Sequence, residues 1–274
     1  GLEKAEDAEI EVIAEIELAY RIAQAPIIAI TGTNGKTTTT VLAGLMLRES
    51  GFNTYIAGNA AGTGLIQDEK TIMPLVLAAH KAGPGDRIVA EISSFQLERI
   101  SSFKPFIGAV LNITSDHMDR YKSVKDYADA KARMFEFQDN ECWSIINADD
   151  AGSSSLVNRT KGKVLEFTRT RDVAEGAYVR GEDLILALHG MEAVLCARSD
   201  MKLRGEHNVE NVLASSLMAV LAGARPEKCL KIAMNFGGVA HRMESVRTLD
   251  GVEYINNSMC TNVDAAIRSI ESVD

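Results

Sequence analysis

Residues 26–40 constrain this chain more than any other stretch: Pro26-Ile27-Ile28-Ala29-Ile30-Thr31-Gly32-Thr33-Asn34-Gly35-Lys36-Thr37-Thr38-Thr39-Thr40. A β-type apolar run enters a glycine loop, then a lysine and a hydroxyl cluster, and a helical pattern follows. Gly32 and Gly35 let the backbone turn and bring its N–H groups close to an anion. A helix starting beside Lys36 points the positive end of its dipole at the same place. Lys36 adds a mobile point charge for outer phosphates, and the Thr37 hydroxyl suits a Mg²⁺ ion. A nucleoside triphosphate is therefore the expected ligand. The first glycine of the general G-x-x-x-x-G-K-[ST] pattern falls at Ile30. The alternative is an ordinary strand–turn–helix junction with a chance Gly-Lys-Thr.

The 274 residues allow one large domain or two smaller ones. A net charge of −9 argues against nonspecific nucleic-acid binding. No apolar run approaches the roughly 18 residues a membrane span needs. There is no basic-then-apolar leader at the start. Cys142, Cys196, Cys229 and Cys260 are scattered without a C-x-x-C pair, as expected for reduced thiols of a cytoplasmic protein. The chain starts without Met and ends on Glu271-Ser272-Val273-Asp274 in what reads as mid-element, so a piece of a longer protein is expected.

Residues 1–24 mix the patterns of a short strand and a helix. The loop helix is expected over Thr37 to Glu49, where Val41, Leu42, Leu45 and Met46 share a face. Asn53 to Ala57, Arg87 to Ile92, Ile107 to Ile113, Cys142 to Ala148 and Lys163 to Phe167 read as strands. Helices are expected over 72–82 and 123–139. The alternation predicts an α/β fold: a mostly parallel sheet flanked by helices. Short runs between Gly176 and Ala197 predict a small antiparallel meander appended to it. Helices are expected near Asn208 to Leu221 and Pro226 to Asn235. Gly237-Gly238 marks the domain boundary, followed by strands near Ser245 and at Val252 to Ile255, and a helix starting near Asn262.

Polar clusters fall at the C-terminal ends of the expected parallel strands, where open α/β sheets bind ligands. Glu91 ends a buried strand, and a carboxylate there is costly unless paired or bound to a metal. With Lys36 and Thr37 already implying nucleotide and Mg²⁺, Glu91 is a candidate ligand; the alternative is a carboxylate satisfied by local N–H groups. Asp116-His117-Met118-Asp119-Arg120 follows the next strand, and a metal or phosphate role is favoured for His117. On pattern alone Lys131 is a surface lysine of an amphipathic helix. Asn208 and Asn211, three apart, share a helix face suited to a base edge, although Asn208 also fits an N-cap. Arg242 at the hinge suits a phosphate, or an ion pair with an acid such as Glu244.

Taken in order, Thr31 to Thr37, Glu91-Ile92-Ser93-Ser94-Phe95-Gln96-Leu97-Glu98, Asp116 to Arg120, Tyr127-Ala128-Asp129-Ala130-Lys131, Gly205 to Asn211 and His241 to Glu244 resemble the Mur ligases, the ATP-dependent amino-acid ligases of peptidoglycan precursor synthesis. Ser93 to Glu98 looks most like the D-glutamate-adding branch. The resemblance covers nearly the whole chain and explains the short loop, because this family uses Thr-Gly-Thr-Asn-Gly-Lys-Thr.

It implies ATP and Mg²⁺. Gly32, Thr33, Asn34, Gly35, Lys36, Thr37 and Thr38 would hold the phosphates. Thr37 and Glu91 would hold one Mg²⁺, with His117 helping to hold a second. Lys131 would be the family lysine that CO₂ carbamylates to complete the metal site, which reverses the surface reading. Asn208 and Asn211 would face adenine, Arg242 the phosphates, and Asn257 the nucleotide. Asn59, Ser93 and His117 would lie on the side of a UDP-MurNAc-L-alanine-like nucleotide sugar, with an amino acid as second substrate. Lys36, His117 and Lys131 would carry the catalysis.

Implied domains are the tail of a UDP-substrate domain with its linker (1–24), a central ATP-binding domain (25–237), and the start of a Rossmann-like amino-acid-binding domain (238–274). A monomeric enzyme is expected. One departure stands out. The glutamate-adding branch usually reads Asn-Asp-Ser-Lys-Ala-Thr-Asn, and this chain reads Asn256-Asn257-Ser258-Met259-Cys260-Thr261-Asn262. The usual lysine lies near the acceptor, so an acceptor other than D-glutamate is the first alternative. A nucleotide-binding remnant without ligation is the second. The related folylpolyglutamate synthetase type is disfavoured by Ser93 to Gln96 and Asn256 to Met259.

Overall fold

The computed structural model describes residues 2–59, 72–261 and 263–273. The strands in chain order are β1 (Ile27–Thr31), β2 (Thr54–Gly58), β3 (Arg87–Glu91), β4 (Ile107–Val110), β5 (Trp143–Asn147), β6 (Lys163–Thr168), β7 (Gly176–Arg180), β8 (Asp183–Leu188) and β9 (Met191–Ala197). Among the described residues they form one sheet in the order β2-β3-β1-β4-β5-β6-β7-β8-β9. Pairing is parallel from β2 through β7. β7, β8 and β9 then run antiparallel, as the meander pattern predicts.

β1 is buried at all five positions, because both faces are covered. Ile28 and Ile30 pack one way, against α3 (below) and its neighbours, and Ile27 and Ala29 pack the other way. The chain order around β1 decides where a ligand sits. β3 flanks it on one side and β4 on the other, in register Ile30 with Glu91 and Thr31 with Val110. The connections leave in opposite directions there and open a crevice at the C-terminal strand ends.

The helices are α1 (Leu2–Asp7), α2 (Glu15–Ile22), α3 (Lys36–Glu49), α4 (Leu75–Lys81), α5 (Ser94–Leu97), α6 (Val124–Ala132), α7 (Ala151–Ser154), α8 (Glu206–Leu221), α9 (Pro226–Asn235) and α10 (Val263–Glu271). α3, α8 and α9 cover one face of the sheet through Leu42, Met46, Val212, Leu217 and Cys229. α2, α4 and α6 cover the other through Ile16, Ala78 and Tyr127. Residues 244–256 make a separate antiparallel hairpin, β10 (Glu244–Leu249) and β11 (Val252–Asn256).

The strand expected within residues 1–24 is absent among the described residues; two short helices stand there instead. The extended stretch between them bonds the sheet side through Ala14 N to Arg99 O, 2.8 Å, with no ladder to make a strand. The helix expected over 123–139 ends at Ala132 and tightens into a 3₁₀ turn, Arg133–Phe135. The helix expected over 72–82 is shorter, because Met73 first bridges Ala57 of β2. Residues 60–62 of the loop after β2, and Asn262, lie outside the described residues.

α2 is pinned by a buried carboxylate. Glu17 Oε2 accepts from the backbone N–H groups of Ser101, Ser102 and Phe103 at 3.1, 3.1 and 2.9 Å, and Glu17 Oε1 from Arg21 Nε at 2.9 Å. Burial pushes this carboxyl up, but hydrogen bonds from Ser102, Ser101 and Arg21 outweigh it and hold the pKa down at about 2. The folded value lies below the unfolded one. The stabilisation is therefore full above the unfolded value of 4.5 and is lost as pH falls toward 2. Glu17→Gln is expected to cost about 2–3 kcal/mol in urea unfolding at pH 7. The gap to the parent should close as pH drops through the 4 to 2 range; a gap that stays constant would sink this assignment.

Candidate active site

The loop between β1 and α3 is shaped by two close approaches. Gly35 has φ +84°, and a Cβ there would stand 2.4 Å from Asn211 Oδ1, so only glycine fits. Gly58, at the end of β2 with φ +101°, has the same constraint: a Cβ would stand 2.1 Å from Glu91 O. α3 begins at Lys36, and Gly35 offers no side chain to accept the first N–H groups. Those donors and the helix dipole therefore face the crevice.

The loop after β4 braces this turn, a part the sequence reading passed over. Asn34 N donates to Asn112 Oδ1 at 2.8 Å and Asn112 Nδ2 to Asn34 O at 3.2 Å. Thr33 N donates to Asn112 O at 2.9 Å, and Thr114 N to Thr33 Oγ1 at 3.0 Å. The available signal was an amide directly after a buried strand.

A cavity of about 460 Å³ opens above the loop. Of the residues singled out from sequence, Thr33, Asn34, Gly35, Lys36, Thr38, Asn59, Glu91, His117, Asn208, Asn211, Arg242 and Asn257 line it. Gly32, Thr37 and Lys131 are buried just behind the lining. Ser93 stands apart from the cavity. It caps α5, accepting from Gln96 N at 3.3 Å while Gln96 Oε1 takes its own N–H at 2.9 Å.

Thr37 and Glu91 meet at the loop's end. The Thr37 hydroxyl donates to Glu91 Oε2 at 2.7 Å, and Asn59 Nδ2 to Glu91 Oε1 at 3.3 Å. Glu91 is 3% exposed, and these contacts give one oxygen a hydroxyl donor and the other an amide N–H. A buried carboxylate beside a hydroxyl is a hard-oxygen set open to a divalent cation, and the pair fits Mg²⁺. Among the described residues no three His, Cys, Asp or Glu side chains gather around one point.

Lys36 folds back on the loop: its Nζ donates to Gly32 O at 3.1 Å and Thr33 O at 2.9 Å. Burial lowers its pKa, and the positive charge of Arg242 lowers it further. Arg242 reaches across from the turn before β10, with Nη2 3.2 Å from Thr37 Oγ1. The ion pair with Glu244 is not formed, because Glu244 accepts from His241 N at 2.8 Å and Asn256 Nδ2 at 3.3 Å.

Lys131 overturns its surface reading outright. It is 1% exposed, and its Nζ donates to Gly32 O at 2.9 Å and Thr31 Oγ1 at 3.3 Å above the Tyr127 ring. Burial first, and then the Lys36 charge, hold its pKa well below the ordinary lysine value. The apolar positions of α6 gave no hint, because the partners of Lys131, Thr31 and Gly32, lie 100 and 99 residues away. His117 sits at φ +55° with its ring edge-on to Phe95 at 4.9 Å. Asn208 is no N-cap; Gly205 holds that position. Asn211 Nδ2 donates to Asn208 Oδ1 at 3.0 Å, and Thr39 Oγ1 to Asn211 Oδ1 at 3.0 Å. The two amides thus form one chain that presents its remaining valences to the cavity. Met259 lines the cavity at the position of the expected lysine.

Residues 30–219 match the family described as Mur ligase middle domain. The chain is 43% identical over 272 residues to UDP-N-acetylmuramoylalanine–D-glutamate ligase of Caldanaerobacter subterraneus subsp. tengcongensis, covering 99% of this chain and 57% of that protein. It is 43% identical over 263 residues to the ligase of the same name in Pelotomaculum thermopropionicum, covering 96% and 55%. The chain therefore spans a little over half the length of these relatives. Among solved structures, the UDP-N-acetylmuramoylalanyl-D-glutamyl-2,6-diaminopimelate–D-alanyl-D-alanyl ligase of Acinetobacter baumannii superposes with a TM-score of 0.67 at 17% identity, covering 95% of this chain and 57% of that one. At that identity the likeness shows the fold.

Proposed function

Since this chain belongs to the Mur ligase family, we propose that it is the ATP-binding part of a ligase joining the carboxylate of a UDP-MurNAc-L-alanine-like nucleotide sugar to D-glutamate, in peptidoglycan precursor synthesis. The observation that carries the reading is the Thr37–Glu91 pair at the loop's end with Arg242 arching over it from the other side of the hinge. That arrangement has a cation seat, a phosphate cradle and a guanidinium around one point. Residues 1–24 are read as the tail of the nucleotide-sugar domain, 25–237 as the ATPase, and 238–274 as the opening of the amino-acid domain. No helix among the described residues is long and apolar enough to cross a membrane. A monomer acting in the cytoplasm is part of the proposal.

In this reading a substrate carboxylate oxygen attacks the γ-phosphorus of ATP, the bond to the β–γ bridging oxygen breaks, and ADP leaves. The amine of the amino acid then displaces phosphate from the acyl phosphate. Carboxylates are poor electrophiles at neutral pH, which is why ATP is needed. Lys36 swings from its loop carbonyls to the outer phosphates, and Arg242 clamps them bidentately. The N–H groups of Gly35 to Thr38 orient the β-phosphate. Asn208 and Asn211 offer their free valences to the base. Asn59 and His117 orient the acyl substrate. Thr37 and Glu91 would hold Mg²⁺, with His117 and a carbamylated Lys131 at a second ion; the metal supplies charge neutralisation at the phosphates.

Phosphate release by the full-length protein with UDP-MurNAc-L-alanine and a panel of amino acids is the test. Release that depends on D-glutamate is the expected result. Release with another amino acid supports the second reading, a different acceptor, which Met259 in the cavity favours. Intact ATP binding without any amino-acid-dependent release would sink both ligase readings.

A further inference from the structure

Arg242 is carried by a turn whose backbone is hard to hold. His241 and Met243, on either side of it, have φ +64° and +48°, a conformation that side chains with a Cβ rarely adopt. Each N–H of the turn has a partner. Arg242 N donates to Val239 O at 3.1 Å, and His241 N to Glu244 Oε2 at 2.8 Å. Met243 N donates to Asn257 Oδ1 at 3.3 Å, a side chain from beyond the end of β11. The other end of the same amide faces α10: Asn257 Nδ2 donates to Ser269 Oγ at 2.9 Å. The Ser269 hydroxyl proton goes to Ala265 O, 2.8 Å away, so its oxygen accepts from the amide N–H. Both ends of the Asn257 amide are thus taken by the protein. Arg242, by contrast, keeps its Nε buried with no partner among the described residues, and Nη2 on Thr37.

We propose that Asn257 is a positioning residue for Arg242: its amide ties the strained turn that aims the guanidinium at the phosphate loop to helix α10, so the grip on nucleotide phosphate follows the position of α10. This rests on the phosphate reading of the site given above and deepens it. An acid at 257, the usual residue of the glutamate-adding branch, would still accept from Met243 N. Its carboxylate could keep Ser269 only by taking the hydroxyl proton from Ala265 O, so the link to α10 would reverse its polarity and release that carbonyl. The amide and Ser269 therefore make a matched pair.

Calorimetric titration with ATP and with AMP, on the parent, Asn257→Ala, Arg242→Ala and the double variant, tests the link. Arg242→Ala is expected to weaken ATP about tenfold or more and leave AMP alone, because only ATP carries the outer phosphates. Asn257→Ala is expected to weaken ATP about fivefold, leave AMP alone, and add less than about twofold in the Arg242→Ala background. If Asn257 instead bonds the ribose, ATP and AMP weaken alike and the two losses multiply in the double variant; that result overturns the proposal. Should Asn257→Ala fail to fold, Ser269→Ala severs the α10 end alone, and it must show the same selectivity for ATP and the same dependence on Arg242. ATP binding indifferent to Arg242→Ala would overturn the phosphate reading itself, an outcome separate from additive losses.

Discussion

Lys131→Ala is expected to lower ligation about 10²- to 10³-fold and to recover part of it when a short carboxylic acid such as acetate or propionate is added. The side chain is 1% exposed, and burial, followed by the Lys36 charge, depresses its pKa and so works against the ammonium form. A neutral amine is the form that attacks CO₂: the nitrogen lone pair bonds the carbon, one proton leaves, and a carbamate replaces a cation. The lysine is held by a carbonyl and a hydroxyl, Gly32 O and Thr31 Oγ1, with no carboxylate bonded to it among the described residues. A free carboxylic acid entering the space left by the truncation would restore anionic oxygens near the same place. If Lys131 served only to brace the loop, the alanine variant would lose activity without rescue. A fully active Lys131→Ala would refute the carbamate role altogether.

Lys36→Ala is expected to weaken ATP by about tenfold or more and to lower turnover about 10³-fold, with AMP affinity near that of the parent. In the structure the ammonium rests on Gly32 O and Thr33 O, within reach of the loop it would leave when phosphate arrives. Lys36→Arg should rescue poorly, because a planar fork cannot replace a point charge in a seat this narrow. Calorimetry with ATP, ADP and AMP separates the two contributions. Equal weakening of all three would mean that the variant has disturbed the loop, and unchanged ATP binding would remove Lys36 from the phosphate site.

The strands and the glycine turn between β1 and α3 were legible because their signals are local. Continuous apolar runs such as Ile27 to Ile30 read as doubly covered strands, and each polar cluster followed one of them. The meander was legible from its short alternating runs for the same reason. The strand expected within residues 1–24 misled, since an apolar pattern looks the same whether or not a neighbouring strand is there to pair with it. Ser93 misled in another way: it stands between catalytic-looking neighbours, yet Gln96 three residues on makes it a helix cap.

From Gly32, Gly35, Lys36 and Thr37 alone, an anion cradle at the start of a helix followed, because glycine freedom, helix dipole and lysine charge act within a few residues. Everything that turns the cradle into a site comes from contacts between distant parts of the chain. Thr37 meets Glu91 across 54 positions, Lys131 meets Gly32 across 99, and Arg242 meets Thr37 across 205. Sheet order decides the first, by setting β3 beside β1. Packing of α6 against the loop decides the second and moves a lysine that local pattern assigned to solvent into the core. The turn at residues 241–243, held open by Asn257, decides the third. Periodicity reports which face of an element is apolar, and it carries no information about which other element will cover that face.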